Sequence, residues 1–497
     1  MNRKKQGRAP FTEALEAYCR ESFYPYHTPG HKGGKGSSAE EQKLFGAALR
    51  RDLGLMYALD DLFDPVGPLG EAMDLAAELY GAGRTFFSVN GTTACIEAMI
   101  LAVCGDGDEL IIPREAHKSV MNALILSGAV PVYMKSRFAL QEEISLGPDT
   151  REIEDLMETH PKAKGIVITY PTYDGLCIDL KSVCEAAHRH KLFVLVDEAH
   201  GAHFGLHEDL PATALSCGAD MAAQSTHKLG GSLTQTSMLH CRKGFVHVDK
   251  VAAAMHLLQS TSPHYWFLAS LDSARRRAAL YGHDDEEKAL KMARRIRREL
   301  NTLAGIRVFG KEILEYDGVQ DFDETKITID FSGLGLTGAE AERLLRREKI
   351  EVELTAGHHV LCLITPGDDN ESAEALIKAC RHISEDGEKT ERVEMKEVPL
   401  PDPVVRLAPR AAWHMPSVAK RLDEAIGSIA AESVIFYPPG IPVLAPGEEI
   451  TAQCVRYIQS KIAEGYGPHG CEDKTATFIK TVKIGRASCR ERVLRLV

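Results

Sequence analysis

The sequence predicts an α/β protein whose larger part is built on a mostly parallel sheet. Short apolar runs alternate with helix-length segments from residue 84 to residue 240. The runs end in polar or glycine-bearing turns, where sheets of this kind hold their ligands. One run, Leu192-Phe193-Val194-Leu195-Val196, ends in Asp197-Glu198-Ala199-His200. A further apolar approach leads into Ser225-Thr226-His227-Lys228-Leu229-Gly230-Gly231.

Taken in order, residues 1–50 read as a helix followed by an irregular arm. Within it, Tyr26-His27-Thr28-Pro29-Gly30-His31-Lys32-Gly33-Gly34 joins two histidines and a lysine to three glycines. Such a loop has backbone freedom and a positive potential. It either contacts a cofactor or substrate, with a neighbouring subunit included, or is a solvated linker.

The large α/β unit is expected over 51–304. A helix is predicted near 70–81, a strand over 85–90 and an apolar helix over 94–103. Gly91-Thr92-Thr93 joins that strand to that helix. Free N–H groups, two hydroxyls and a positive helix end make such a junction an anion site. The same residues also serve as an ordinary helix cap. Strands follow at 109–113, 130–134 and 165–170, with helices to about Ser127, over 151–158 and over 180–190. His117, at a helix start, suits a flat partner stacked on an aromatic cofactor, or a plain cap. The segments 90–93, 117, 171–175 and 197–200 all fall at strand carboxyl ends, so they converge on one crevice.

Residues 265–304 read as a charged helical connector with a break at Gly282-His283-Asp284. A smaller α/β unit is expected over 305–390, with strands near 326–331, 350–354 and 360–365 and helices near 338–347 and 371–384. A charged linker, Glu385-Asp386-Gly387-Glu388-Lys389-Thr390-Glu391, precedes a third unit over 391–482. Rigid turns there are Tyr437-Pro438-Pro439-Gly440-Ile441-Pro442 and Ala445-Pro446-Gly447-Glu448-Glu449. The stretch from Lys483 to Val493 resembles translated read-through sequencing adapter. Residues 483–497 are therefore expected to be a non-native tail, with the native C-terminus missing.

Composition narrows the function. With 71 acids against 59 bases the net charge is −12, which disfavours sequence-independent nucleic-acid binding. Asp197-Glu198-Ala199-His200 spells a helicase box, but no G-x-x-x-x-G-K-[ST] loop precedes it. The twelve cysteines form no C-x-x-C pair. Neither a disulfide framework nor a dedicated zinc site is expected, although His200 and His203 lie near two acids. No apolar run is long enough for a membrane helix and no signal core follows the basic start, so a cytoplasmic protein is expected.

What remains is the pairing of Asp197 with Ser225-Thr226-His227-Lys228. A pyridoxal phosphate site needs a lysine to form a Schiff base with the aldehyde, an Asp to stabilise the protonated pyridine nitrogen, and Ser and His to hold phosphate.

Read together, His27-Thr28-Pro29-Gly30-His31-Lys32-Gly33-Gly34, Asn90-Gly91-Thr92-Thr93, His117-Lys118-Ser119, Asp197-Glu198-Ala199-His200-Gly201-Ala202-His203, Ser225-Thr226-His227-Lys228, Thr261-Ser262-Pro263 and the Tyr437–Pro442 turn resemble the Orn/Lys/Arg decarboxylase family of fold-type-I pyridoxal phosphate enzymes. The likeness is to the short bacterial form without the wing domain, and covers nearly all of 20–475. It implies a fold-type-I large domain, a smaller α/β domain and a C-terminal α+β decarboxylase domain. It assigns Lys228 to the Schiff base, Asp197 to the pyridine nitrogen, His117 to ring stacking and His200 to the phenolic oxygen. Gly91, Thr92, Thr93, Ser225 and His227 fall to the phosphate. Arg114-Glu115-Ala116-His117 departs from the family's Arg-Asn-x-His, which is expected to alter fine positioning near the ring.

The implied reaction is decarboxylation of arginine, lysine or ornithine in polyamine metabolism, by a homodimer or larger assembly. Glu353, His27, Asp60 and Asp61 are the candidates for meeting the substrate. Transamination and aldol cleavage use the same lysine and Asp, and a catalytically silent regulatory homologue is the alternative of another class.

Overall fold

The computed structural model describes residues 2–21, 23–386, 400–436 and 440–483. The turn at 437–439, the linker from 387 onward and the tail beyond Lys483 lie outside the described residues. A seven-stranded sheet organises the chain. Its strands are β1 (Arg84–Ser88), β2 (Glu109–Pro113), β3 (Val130–Met134), β4 (Gly165–Thr169), β5 (Phe193–Asp197), β6 (Met221–Gln224) and β7 (Ser237–Cys241). They lie in the order β1-β7-β6-β5-β4-β2-β3. The five strands from β3 to β6 are parallel, and β7 runs antiparallel between β6 and β1.

The sequence explains why β5 is central. Phe-Val-Leu-Val-Asp is apolar on both faces, as a strand covered on both sides must be. Leu195 joins the core with Val167, Leu110 and Ala223, while Val194 and Val196 face Ile166, Ile168 and Ala222 on the other side. The first face is covered by helices Gly91–Val103, Lys118–Ser127 and Val248–Leu258, the second by Thr150–Thr159 and Leu180–Arg189. In register, Thr169 lies beside Asp197 and Asp197 beside Ala223. The carboxyl ends of β4, β5 and β6 are therefore level.

A single helix, Tyr265–Leu300, runs out of this layer. The expected break at Gly282-His283-Asp284 does not occur. Gly282 is buried against Leu206, and a Cβ there would meet Leu206 Cδ1 at 3.2 Å. The glycine permits a close approach and does not stop the helix.

The helix leads to a four-stranded antiparallel sheet of β8 (Arg307–Val308), β9 (Lys326–Asp330), β10 (Leu354–Ala356) and β11 (His359–Leu363), in the order β8-β9-β11-β10. The strand expected at 350–354 starts only at Leu354, because β10 and β11 form a tight hairpin around Gly357 and His358. Helix Gly338–Arg347 starts with a Thr337–Glu340 capping box, and Asn370–Asp386 packs beside it.

The last described portion pairs Ser417–Arg421 with Phe478–Val482. It sets Val434–Phe436 between Ile441–Leu444 and Pro468–His469, next to helix Ala452–Ala463. No described helix is long and apolar enough to cross a membrane.

Candidate active site

Lys228 sits on a one-turn helix, Thr226–Leu229, that leaves β6 through Ser225. Its Nζ lies 2.8 Å from His200 Nε2 and 5.9 Å from the centre of the Tyr173 ring. Burial lowers the pKa of its amine, against the pull of Asp197 and Glu353. Lys228 also lines a cavity of about 440 Å³, shared with Gly230, Gly231 and Glu286.

Asp197 ends β5, buried, and accepts the Ala199 N–H at 3.2 Å. Burial pushes its carboxyl up to about 6, although Lys228 draws it the other way. The side chain is thus a buried acid short of a strong cationic partner.

His117 caps helix Lys118–Ser127, its Nδ1 accepting the Ser119 N–H at 3.3 Å and lying 2.8 Å from Ser119 Oγ. Burial, with the charges of Lys228 and Lys118, pushes the ring down to about 4. A flat, neutral imidazole results at neutral pH.

A hydroxyl cluster lies at the other end. Thr92 Oγ1 is 2.5 Å from Ser225 Oγ and 2.6 Å from Ser237 Oγ, so three elements meet there. Gly91 opens helix Gly91–Val103 at φ +72° with no atom within 4 Å of a notional Cβ, and Thr93 is half-buried two positions on. Gly231 is equally open at φ +79°. Thr226 Oγ1 is buried without a hydrogen-bond partner among the described residues. The His227 Nδ1 is 2.9 Å from the Thr236 carbonyl. Thr92, Ser225 and Ser237, gathered at the N-terminus of helix Gly91–Val103, are a candidate anion cradle.

Residues 9–372 match the major domain of the Orn/Lys/Arg decarboxylases, and residues 392–465 match their C-terminal domain. This chain belongs to the Orn/Lys/Arg decarboxylase family. It is 42% identical over 486 residues to the arginine decarboxylase of Bacillus subtilis (strain 168), covering 97% of this chain and 99% of that one. It is 40% identical over 490 residues to the arginine decarboxylase of Bacillus anthracis, covering 97% and 99%. Among solved structures, the Francisella novicida lysine decarboxylase superposes with a TM-score of 0.82 at 22% identity, over 95% of this chain and 81% of that one. The fold is that of the fold-type-I pyridoxal phosphate enzymes, and the activity is decarboxylation of a basic amino acid.

In this decarboxylase the predicted residues Lys228, Asp197, His117, His200, Thr92 and Ser225 are linked by hydrogen bonds or by charge around one crevice. Glu353 is exposed just before β10, and its charge reaches Lys228, Lys326 and His227. His27 stays on the arm, with Nδ1 2.6 Å from the Thr28 carbonyl and its own carbonyl bound by Lys32. Asp60 and Asp61 are turn acids. Asp60 accepts N–H groups from Val66, Gly67, Leu69 and Gly70 at 2.7–3.2 Å, and Asp61 accepts that of Phe63 at 2.9 Å. Asp60, so occupied, holds the start of helix Pro68–Leu79.

Glu115 is turned away from the stacking position. It accepts from the Ser145 hydroxyl and lines a cavity of about 860 Å³ that also includes Tyr173 and Asp174. Burial raises its pKa.

Sequence reading brought 171–175 to the crevice and noted His203, but gave no role to Tyr173, to the meeting of His203 with Asp323 or to Lys326. Tyr173 stands edge-on to His200 at 4.9 Å. His203 Nε2 lies 3.1 Å from the buried Asp323 carboxylate. Lys326, the first residue of β9, is fully buried with Nζ 3.3 Å from His200 Nδ1. A lysine opening a short strand ordinarily reads as a surface end, so no local signal marks it.

Proposed function

We propose that this enzyme decarboxylates arginine with pyridoxal phosphate held at Lys228. The observation that carries the reading is the meeting of Lys228 and Asp197 at the level ends of β5 and β6, with the anion cradle beside them. The named arginine decarboxylases, near 40% identity and over almost the whole length, favour arginine over lysine or ornithine.

The residues fit the cofactor by their own deficits. The orphaned Thr226 hydroxyl and the open Gly91 and Gly231 leave a place for phosphate, and Asp197 lacks a cation. Gly91, Thr92, Thr93, Ser225 and His227 hold the phosphate, with His117 against the ring, His200 at the phenolic oxygen and Asp197 at the pyridine nitrogen. When bound, pyridoxal phosphate supplies the electron sink that cleavage of the Cα–carboxylate bond requires.

The chain's own side chains then divide the work. Asp197, ionised beside a pyridinium, keeps that nitrogen protonated, since an anion favours the charged form of its neighbour. Neutral His117 would face the ring without adding charge. Lys228, its amine made easier to deprotonate by burial, would hold the cofactor by its amine. Glu353 receives the cationic end of the substrate.

The arm exposes Tyr24, Tyr26 and Leu44, and Tyr57 is exposed just beyond it. A second copy of the chain covers it in a homodimer, and His27 meets the substrate across that interface. The setting is cytoplasmic, and the amine product feeds polyamine synthesis.

The test is an end-point assay with pyridoxal phosphate and arginine, lysine or ornithine given separately, with CO2 and amine both quantified. Arginine should yield the two in equal amounts. A keto acid in place of CO2, or inert arginine beside active lysine, would overturn the reading.

A further inference from the structure

The carboxyl edge of the large sheet carries a second cavity. Asp197 and Lys228 stand at the ends of β5 and β6, whereas the cavity of about 860 Å³ lies beyond β2, β3 and β4. Pro113, Met134 and Thr169 end those three strands and line it. The β10–β11 hairpin of the small sheet closes another side through Leu354 and His359. Ligands of such sheets sit beyond strand ends of this kind. The cavity adjoins the crevice at Tyr173, which lines it and has its ring centre 5.9 Å from Lys228 Nζ.

Two acids on its wall are short of a cation. Glu115 follows β2, half-buried, and accepts from the Ser145 hydroxyl. Asp174 accepts from the Thr328 hydroxyl at 2.9 Å. The Asp174 charge acts on Glu115, yet neither carboxyl has an ion-pair partner among the described residues. Burial and Asp174 raise the Glu115 pKa against Ser145 and Ser136, as in a carboxyl that lacks its cation. Glu143, also on the wall, is taken by His358, whose Nδ1 lies 2.8 Å away.

The cations on the wall do not fill the gap. Arg114 binds Glu448, Lys461 binds Glu464 at 2.9 Å, and Lys135 is exposed. His359, which opens β11, is only 2% exposed, and its imidazole forms no hydrogen bond among the described residues. A buried polar ring without a partner is costly, so the cavity holds a further unmet group. Ile144, Leu354 and Val443 make other parts of the wall apolar.

The geometry points to this cavity as a binding site for an aliphatic amine, its ammonium at Glu115 and Asp174 and its methylene chain on the apolar wall. An ammonium has three N–H donors and no acceptor, which suits two carboxyls, and a neutral His359 offers one acceptor more. Such charge-assisted contacts are the strong ones away from water. An amino acid would bring a carboxylate as well, and that group would meet like charge. Amines are the class that decarboxylation of a basic amino acid releases. The site therefore takes the product class at a place apart from Lys228.

The test is isothermal calorimetry on the full-length protein with spermidine as the probe. The protein is first loaded with pyridoxal phosphate and reduced with borohydride, so that an amine cannot exchange onto the cofactor. One spermidine should bind per chain. Affinity should fall at least about tenfold in Glu115→Gln and in Asp174→Asn. It should fall roughly threefold in His359→Phe, which keeps a flat ring and removes no hydrogen bond within the chain. Glu353→Gln, at the crevice, and Glu158→Gln, on the exposed surface, should leave affinity within about twofold.

No saturable binding up to roughly 10 mM spermidine would overturn the site, and so would unchanged affinity in both Glu115→Gln and His359→Phe. Equal weakening in Glu158→Gln would mark diffuse attraction to an acidic chain. Weakening confined to Glu353→Gln would put the amine in the crevice. Either result overturns the inference. Melting of Glu115→Gln and His359→Phe within about three degrees of wild type separates lost binding from lost fold. A protein that takes up no pyridoxal phosphate would sink the proposed function and leave this titration readable.

Discussion

Two buried charge clusters in this molecule have opposite characters. Where the large sheet meets the C-terminal portion, the Arg114 guanidinium binds Glu448 at 2.8 and 3.2 Å and the Val443 carbonyl at 2.7 Å, while the Tyr133 hydroxyl donates to Glu448 at 2.6 Å. Burial works against the charge on Arg114, but Glu448 and Tyr133 outweigh it and its pKa ends above the usual value. At the crevice, burial wins instead: Asp197 rises, and His117, Lys228 and Lys326 fall. The first cluster is paired within the chain and serves the fold. The second is left short of partners, which is how a site retains affinity for a ligand that brings the missing charges.

That contrast can be broken or sharpened by substitution. The largest effect is expected from Lys228→Ala, which should lower kcat by at least about 10⁴-fold while leaving the melting temperature within a few degrees of wild type, read by CO2 release and calorimetry.

Asp197→Asn should lower kcat by roughly 10²–10³-fold and yet stabilise the cofactor-free protein. The sign follows from the titration. Asp197 titrates at about 6 when folded against 3.8 ordinarily, so the folded state binds more protons in that window. Its contribution favours folding below the window and is lost as pH rises through 6. At pH 7 the Asn variant should therefore be more stable by roughly 3 kcal/mol, with the gap closing toward pH 4. Urea denaturation at the two pH values checks it, and an Asn variant less stable at pH 7 would contradict it.

Glu448→Leu should do the reverse. Leaving Arg114 buried and unpaired should cost about 3–5 kcal/mol by denaturation, with kcat per folded molecule within about threefold of wild type. Adding Arg114→Met should restore most of the loss, because the pair has little net worth against apolar packing.

The smallest effect belongs to the rim. Glu353→Gln should raise KM for arginine by roughly three- to tenfold with kcat nearly unchanged, as expected for binding felt equally in ground and transition states. Steady-state kinetics on arginine decide it.

The sequence made the sheet legible where strands are apolar on both faces. β2 and β3 fall at the expected residues, and β5 within one. β7 was less visible, because Ser-Met-Leu-His-Cys carries a histidine. The fold buries it between Thr85 at 2.8 Å and Gln224 at 3.0 Å. Gly282 read as a helix break because a glycine that admits Leu206 has the same letter as one that ends a helix. At the site, Lys228 and Asp197 were legible as a pair since strand-end chemistry is local. Lys326 was not, since its meaning depends on a second sheet delivering it to His200. Asp60 looked like a free acid only because the turn it satisfies is made by residues six to ten positions later.

The central claim is that Lys228 is the lysine that holds the cofactor. Borohydride reduction of the protein loaded with pyridoxal phosphate, followed by peptide mapping, tests it most directly. The account predicts one pyridoxyl group per chain, on Lys228 and absent in Lys228→Ala. A pyridoxyl group on Lys326 or any other lysine of the native protein would contradict it.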